Sequence, residues 1–106
     1  MRIVFMGSPD FAVPALAAVQ ASRHTIITVV TQPDRPKGRG HHLAATAVKE
    51  QALVFGLPVL QPESVKDPAF FSQLQALNPD LILIVAFSIL PEAMVRRRGF
   101  HYFGGR

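Results

Sequence analysis

Four short apolar runs, residues 2–6, 25–31, 58–60 and 81–87, constrain this chain more than any other feature, because Val, Ile and Leu crowd them without polar alternation. A strand with one wet face alternates apolar and polar residues, whereas a strand buried on both faces does not. Helical patterns separate the runs. Strand and helix therefore alternate, which points to the α/β class: an open, Rossmann-like parallel sheet of about four strands with right-handed crossovers and strand order 3-2-1-4.

The helical segments have readable ends. The first opens at Ser8-Pro9-Asp10, where either Ser8 or Asp10 can cap, with Pro14 in or near the first turn and Val13, Leu16 and Ala17 on the buried face. The second sets Val48, Ala52 and Phe55 on one stripe and stops at Gly56 and Pro58. The third has Asp67 as N-cap, Pro68 at the first helical position and Phe70, Leu74 and Leu77 on its apolar face, ending at Asn78-Pro79.

With 106 residues, 49% of them hydrophobic and 17% charged, the chain has material for one core. It has no cysteine, which excludes disulfides, thiolate nucleophiles and zinc-thiolate sites and fits a cytoplasmic protein. Its longest apolar stretch, 81–90, is well short of the roughly 18 residues a membrane span needs. No membrane partner is expected. Met1 leads at once into a strand and Gly7-Ser8-Pro9, without the pattern of a secretory leader, so the chain is expected to start inside its fold.

The net charge of +4 is uneven. Arg35, Lys37 and Arg39 form one acid-free segment, and Arg96, Arg97, Arg98 and Arg106 fall in another. Together they carry +7, so the rest of the chain is mildly acidic. Such a division fits either a local anionic partner, phosphate or nucleic acid, or two solvated surface segments. The first basic segment lies in the extended loop 32–42, and loops of that length inside small domains are usually functional. In an open parallel sheet, ligands bind beyond the carboxyl ends of the strands. Segments 7–11, 32–42 and 87–91 should therefore share one edge.

Classical cofactor signals are weak. Gly7 through Phe11 occupies the place of a dinucleotide fingerprint but offers a single glycine, so a nicotinamide or flavin site is not expected. Asp34, within Pro33-Asp34-Arg35-Pro36, is read as shaping a turn and not as a ribose ligand. His24, His41, His42 and His101 lack metal-ligand spacing, and His101 has no neighbouring carboxylate or amide to orient it for catalysis.

Several runs nevertheless resemble one family. Met1-Arg2-Ile3-Val4-Phe5-Met6-Gly7-Ser8-Pro9-Asp10-Phe11, Thr31-Gln32-Pro33-Asp34-Arg35-Pro36-Lys37-Gly38-Arg39-Gly40, Pro58-Val59-Leu60-Gln61-Pro62 and Asn78-Pro79-Asp80-Leu81 are closely similar to the N-terminal part of the methionyl-tRNA formyltransferases. The resemblance covers residues 1–93, leaving 94–106 as a divergent basic tail. It implies transfer of a formyl group from 10-formyltetrahydrofolate to the amino group of methionyl initiator tRNA, with the tRNA contacted by Arg35, Lys37, Gly38, Arg39, Gly40, His41 and His42. It also implies that Phe87, Ser88, Ile89, Leu90 and Pro91 wall the folate pocket, although the family commonly has Tyr in place of Phe87 and one more residue before the Ile-Leu-Pro.

The resemblance places the chemistry on an Asn, a His and an Asp, followed by a Ser-Leu-Leu-Pro segment. None of the 106 residues matches these, so no catalytic residue is assigned, the chain alone is expected to be inactive, and tight folate binding is not expected. Two other readings stay open: a folate-dependent formyltransferase acting on a nucleotide sugar or glycinamide ribonucleotide, and a non-catalytic nucleic-acid-binding module. A truncated formyltransferase fold would also leave one flank of strand 81–87 unpaired, and self-association through that edge is expected.

Overall fold

The computed structural model describes residues 1–37, 42–64, 66–85 and 100–103. Strands β1 (Arg2–Met6), β2 (Thr25–Val30), β5 (Val59–Leu60), β6 (Leu81–Val85) and β7 (Phe100–Phe103) form one sheet in the order β5-β2-β1-β6-β7, with every pair parallel. Helices α1 (Val13–Gln20), α2 (Ala47–Val54) and α3 (Pro68–Leu77) make the crossovers. The first four strands thus reproduce the expected order, with β1 and β2 central as their unbroken apolar character requires.

The expected open flank of β6 is not open. Residues Ile82 to Val85 pair in register with Phe100 to Phe103, so the tail contributes a fifth strand and the sheet edge on that side moves outward to β7. An aromatic run of Phe, Tyr and Phe suits a strand. Segment 32–42 also differs from an open loop: β3 (Arg35–Lys37) and β4 (His42–Ala44) pair antiparallel as a separate hairpin. Pro36 inside β3 lacks an N–H, which hides such a strand from a sequence reading and limits it to a two-stranded edge.

Two apolar layers flank the sheet. Phe5, Leu16, Ile26, Val29, Val48 and Ala52 pack on the α1 and α2 side, while Val4, Met6, Val30, Phe70, Leu74, Ile82 and Ile84 pack on the α3 side. Alternation is strict along β1 and β6 but breaks in β2, where a bulge opposite the Ile3/Val4 step leaves Ile27 unpaired with β1. Ile27 packs into the α3-side layer, and Thr28 lines a shallow groove with Gln73, Ala76 and Leu77 of α3, so two successive residues share a face.

The helix ends follow their signals in two cases out of three. Asp67 accepts from the Ala69 N–H at 2.9 Å, Pro68 begins α3, and Asn78 ends it in the left-handed conformation at φ 49°. Gly56, at φ 71°, follows α2, whose N-cap Thr46 accepts from the Lys49 N–H at 3.0 Å. At α1 neither Ser8 nor Asp10 caps. A 3₁₀ turn, Asp10–Ala12, leads into the helix without a side-chain cap, and Ser8 is turned to other partners. Leu16 is buried as expected, Ala12 joins it, and Val13 and Ala17 are only half-buried. Among the described residues no helix is long and apolar enough to cross a membrane.

Candidate functional site at the carboxyl edge of the sheet

Parallel strands bring all their carboxyl ends to one edge. β1 ends at Met6 and Gly7, β2 at Val30 and Thr31, β5 at Leu60 and Gln61, and β6 at Val85. The chain turns to opposite sides of β1 when it forms β2 and β6, so the crevice expected of an open sheet lies between β1 and β6. Gly7 stands there. A Cβ on Gly7 would come within 2.7 Å of the Val85 carbonyl oxygen and 3.1 Å of the Phe5 ring, so only glycine lets these two strand ends approach.

A chain of side-chain hydrogen bonds runs along the same edge. Buried Thr31 donates its hydroxyl to Ser8 Oγ at 3.3 Å, and Ser8 Oγ also accepts the Gln32 N–H at 3.1 Å. With its one proton so placed, Thr31 accepts from the Thr46 hydroxyl at 2.6 Å, and Thr46 in turn accepts the Lys49 N–H as the α2 cap. Beyond them the Asp34 carboxylate is held by Lys49 Nζ, at 3.0 and 3.1 Å to its two oxygens, and by Gln61 Nε2 at 2.8 Å. The same Gln61 amide nitrogen donates to the Gln32 carbonyl at 3.1 Å. Donation by Gln61, then the hydrogen bond and charge of Lys49, hold the Asp34 carboxyl below the usual carboxylate range.

The edge gathers two of the three segments expected there. Residues 7–11 and the root of segment 32–42 meet through Ser8 and Gln32. Arg35 is exposed at the start of β3, and the register sets Lys37 opposite His42. Gly38, Arg39, Gly40 and His41 lie outside the described residues, as do Phe87, Ser88, Ile89, Leu90 and Pro91, whose segment follows the end of β6. The turn expected around Asp34 is not formed, since residues 31–34 contain no turn and Arg35 already begins β3; Asp34 instead binds side chains of α2 and the β5 end. Sequence gives Lys49 and Thr46 no mark, and Gln61 enters only within a run that resembles the family, without a role. They are common residue types, and their partners lie up to 29 positions away.

Comparison with known proteins gives the edge its context. A model of the formyl transferase family, described as "Formyl transferase", matches residues 1–101. A methionyl-tRNA formyltransferase of Xylella fastidiosa (strain 9a5c) is 53% identical over 96 residues, covering 90% of this chain and 31% of that protein. The methionyl-tRNA formyltransferase of Moorella thermoacetica is 55% identical over 87 residues, covering 82% of this chain and 28% of its own length. That of Parabacteroides distasonis is 50% identical over 95 residues, 89% of this chain and 29% of the relative. The chain therefore spans less than a third of the length of these relatives. A family match running from β1 into β7, and identity at half or more of the aligned positions, establish that the chain belongs to the formyl transferase family.

Proposed function

We propose that this chain serves as the N-terminal part of a methionyl-tRNA formyltransferase, in which a formyl group passes from 10-formyltetrahydrofolate to the amino group of methionyl initiator tRNA. The observation that carries the reading is the 53% identity over 90% of the chain to a protein of that name, with the basic hairpin inside the aligned length. In this reading the chain acts in the cytoplasm. Arg35, Lys37 and Arg39 meet phosphates of the tRNA, and Gly38, Gly40, His41 and His42 complete that contact. A nucleotide-sugar or glycinamide ribonucleotide acceptor would leave a basic hairpin beside the ligand edge without a task.

The donor supplies the formyl carbon. Phe87, Ser88, Ile89, Leu90 and Pro91 are proposed to wall its pocket, consistent with their place directly after the carboxyl end of β6. What the described residues contribute is binding and orientation: Gly7 keeps the crevice between β1 and β6 narrow, and the polar chain from Ser8 to Gln61 anchors the hairpin beside it. The 106-residue chain is proposed to bind tRNA without forming formylmethionyl-tRNA, since it offers no residue matched to the family's Asn, His and Asp.

Salt dependence tests the tRNA contact. Each neutralised phosphate releases condensed counterion, so replacing Arg35, Lys37 and Arg39 together with Ala should flatten the slope of log affinity against log salt by about 2 to 3. Replacing Arg96, Arg97 and Arg98 should leave most of that slope in place. The reverse pattern in a fluorescence titration of initiator tRNA would refute the assignment.

A further inference from the structure

The β3–β4 hairpin is too small to hold its own place. It has three register pairs, one of which includes Pro36, which has no N–H, and Leu43 opposite that proline is 70% exposed. A two-stranded hairpin of that kind is marginal in water. Its position must come from its roots, and both roots are held by side chains. The incoming root is held through Gln32, bonded to Ser8 and Gln61, and through Asp34, bonded to Lys49 and Gln61. The outgoing root is held through Thr46, bonded to Thr31.

We propose that Asp34, Lys49 and Gln61 form a clamp that fixes the orientation of the basic hairpin on the carboxyl edge, and that tRNA affinity depends on that clamp. These are positioning residues, which need not touch the nucleic acid. Lys49 is cationic and close to the basic segment, yet its ammonium is directed to both Asp34 oxygens at 3.0 and 3.1 Å, and its side chain is only 20% exposed. Its charge is thereby engaged within the protein, leaving Arg35, exposed one residue after Asp34, to face an anion. Gln61 ties the clamp to the sheet, because its single amide nitrogen serves both the Asp34 carboxylate and the Gln32 carbonyl. Fixing the hairpin before binding removes an ordering cost that the complex would otherwise carry.

The proposal rests on the tRNA reading above, and the experiment separates the two. Lys49→Met keeps the aliphatic stem and removes the charge; Asp34→Asn keeps an acceptor for Gln61 and removes only the ion pair; Lys49→Arg keeps a donor of the same sign. Backbone amide exchange is followed in β3 and β4, with β1 as the internal measure of the global fold, and affinity for initiator tRNA is titrated in parallel. In Lys49→Met and Asp34→Asn the hairpin amides should exchange about tenfold faster, the equivalent of one charge-assisted hydrogen bond, while β1 amides are unchanged. Affinity should fall by about five- to tenfold in both and be retained in Lys49→Arg. Hairpin exchange unaffected by both substitutions would overturn the clamp, and so would faster exchange without loss of affinity in a chain whose affinity the triple Ala variant at Arg35, Lys37 and Arg39 abolishes. Affinity unmoved by that triple variant, with the hairpin nevertheless loosened by Lys49→Met, would overturn the tRNA reading and leave the clamp as the device that orients the hairpin.

Discussion

Thr31 and Thr46 share a hydroxyl contact of 2.6 Å across fifteen positions of sequence, and that contact joins the strand that enters the hairpin to the helix that leaves it. Thr46 does two things at once: it caps α2 and completes the bonding of a fully buried Thr31. Replacing Thr46 with Ala removes the cap and takes from a buried hydroxyl one of its two partners, leaving Ser8, so a loss of about 1–2 kcal/mol is expected in urea denaturation. Thr46→Ser preserves the one hydroxyl that makes both bonds and should stay within about 0.5 kcal/mol of the parent. Equal losses in the two variants would show that the methyl group, and not the hydroxyl, matters there.

Asp34 makes stability depend on acid. Its carboxyl is held below the usual range by Gln61 and then Lys49, so the charged form is favoured in the folded state. The resulting stabilisation is fully present above the unfolded carboxylate value of about 3.9 and is lost as pH falls through the lower folded value. The gap in denaturation midpoint between the parent chain and Asp34→Asn should therefore be constant from pH 7 to pH 5 and close as the pH is taken well below 4. A gap that widens on acidification would contradict the assignment.

Gly7 is predicted to be intolerant of any side chain. A methyl group there would sit 2.7 Å from the Val85 carbonyl oxygen, a backbone atom that cannot swing aside. Gly7→Ala should cost about 1–3 kcal/mol by forcing β1 and β6 apart. Gly56 has open space around it, and its positive φ makes Gly56→Ala unfavourable through backbone conformation alone, a smaller cost of about 1 kcal/mol. Thermal unfolding of the two variants should rank them in that order.

The outer strand is expected to protect the chain from association. β7 pairs with β6 along four register positions. A chain ended at residue 98 lacks β7 and leaves the carbonyls and amides of β6 without that partner, a template for another chain. Sedimentation velocity should find it self-associating at lower concentration than the 106-residue chain. Matching behaviour of the two would mean that β7 does not guard the edge.

How far the sequence could be read depended on how local the signal was. Asp67, Pro68 and Asn78 act within one turn of their own positions, and the ends of α3 were legible. The order of the first four strands followed from unbroken apolar runs and the handedness of crossovers. The α1 entry was misread because Ser8 is a plausible cap by type, while the structure gives its oxygen to Gln32, 24 positions on. The candidate site followed the same division. The basic residues of segment 32–42 stand out by charge, but Lys49 and Gln61, which hold Asp34 at the root of that segment, show no role until the fold brings the ends of β2 and β5 beside α2. β7 was missed because an Arg-rich, Gly-flanked tail gives no periodicity over so short a run.

The bulge in β2 reaches beyond the core. Counting upward from Ile26 on the α1 and α2 side, ordinary alternation would send residue 31 to the α3 side. Because Ile27 and Thr28 share a face, the count is reset, Val29 returns to the layer of Ile26, and Thr31 emerges on the side where Ser8 and Thr46 await it. The irregularity thus works as a phase corrector: it absorbs one surplus residue in mid-strand, so that the end of β2 still delivers its hydroxyl to that side. Regular pairing of every residue from Ile26 to Thr31 would aim Thr31 away from Ser8 and Thr46 and cost the hairpin its moorings, whereas deleting either Ile27 or Thr28 removes the surplus residue and leaves Thr31 on its present side.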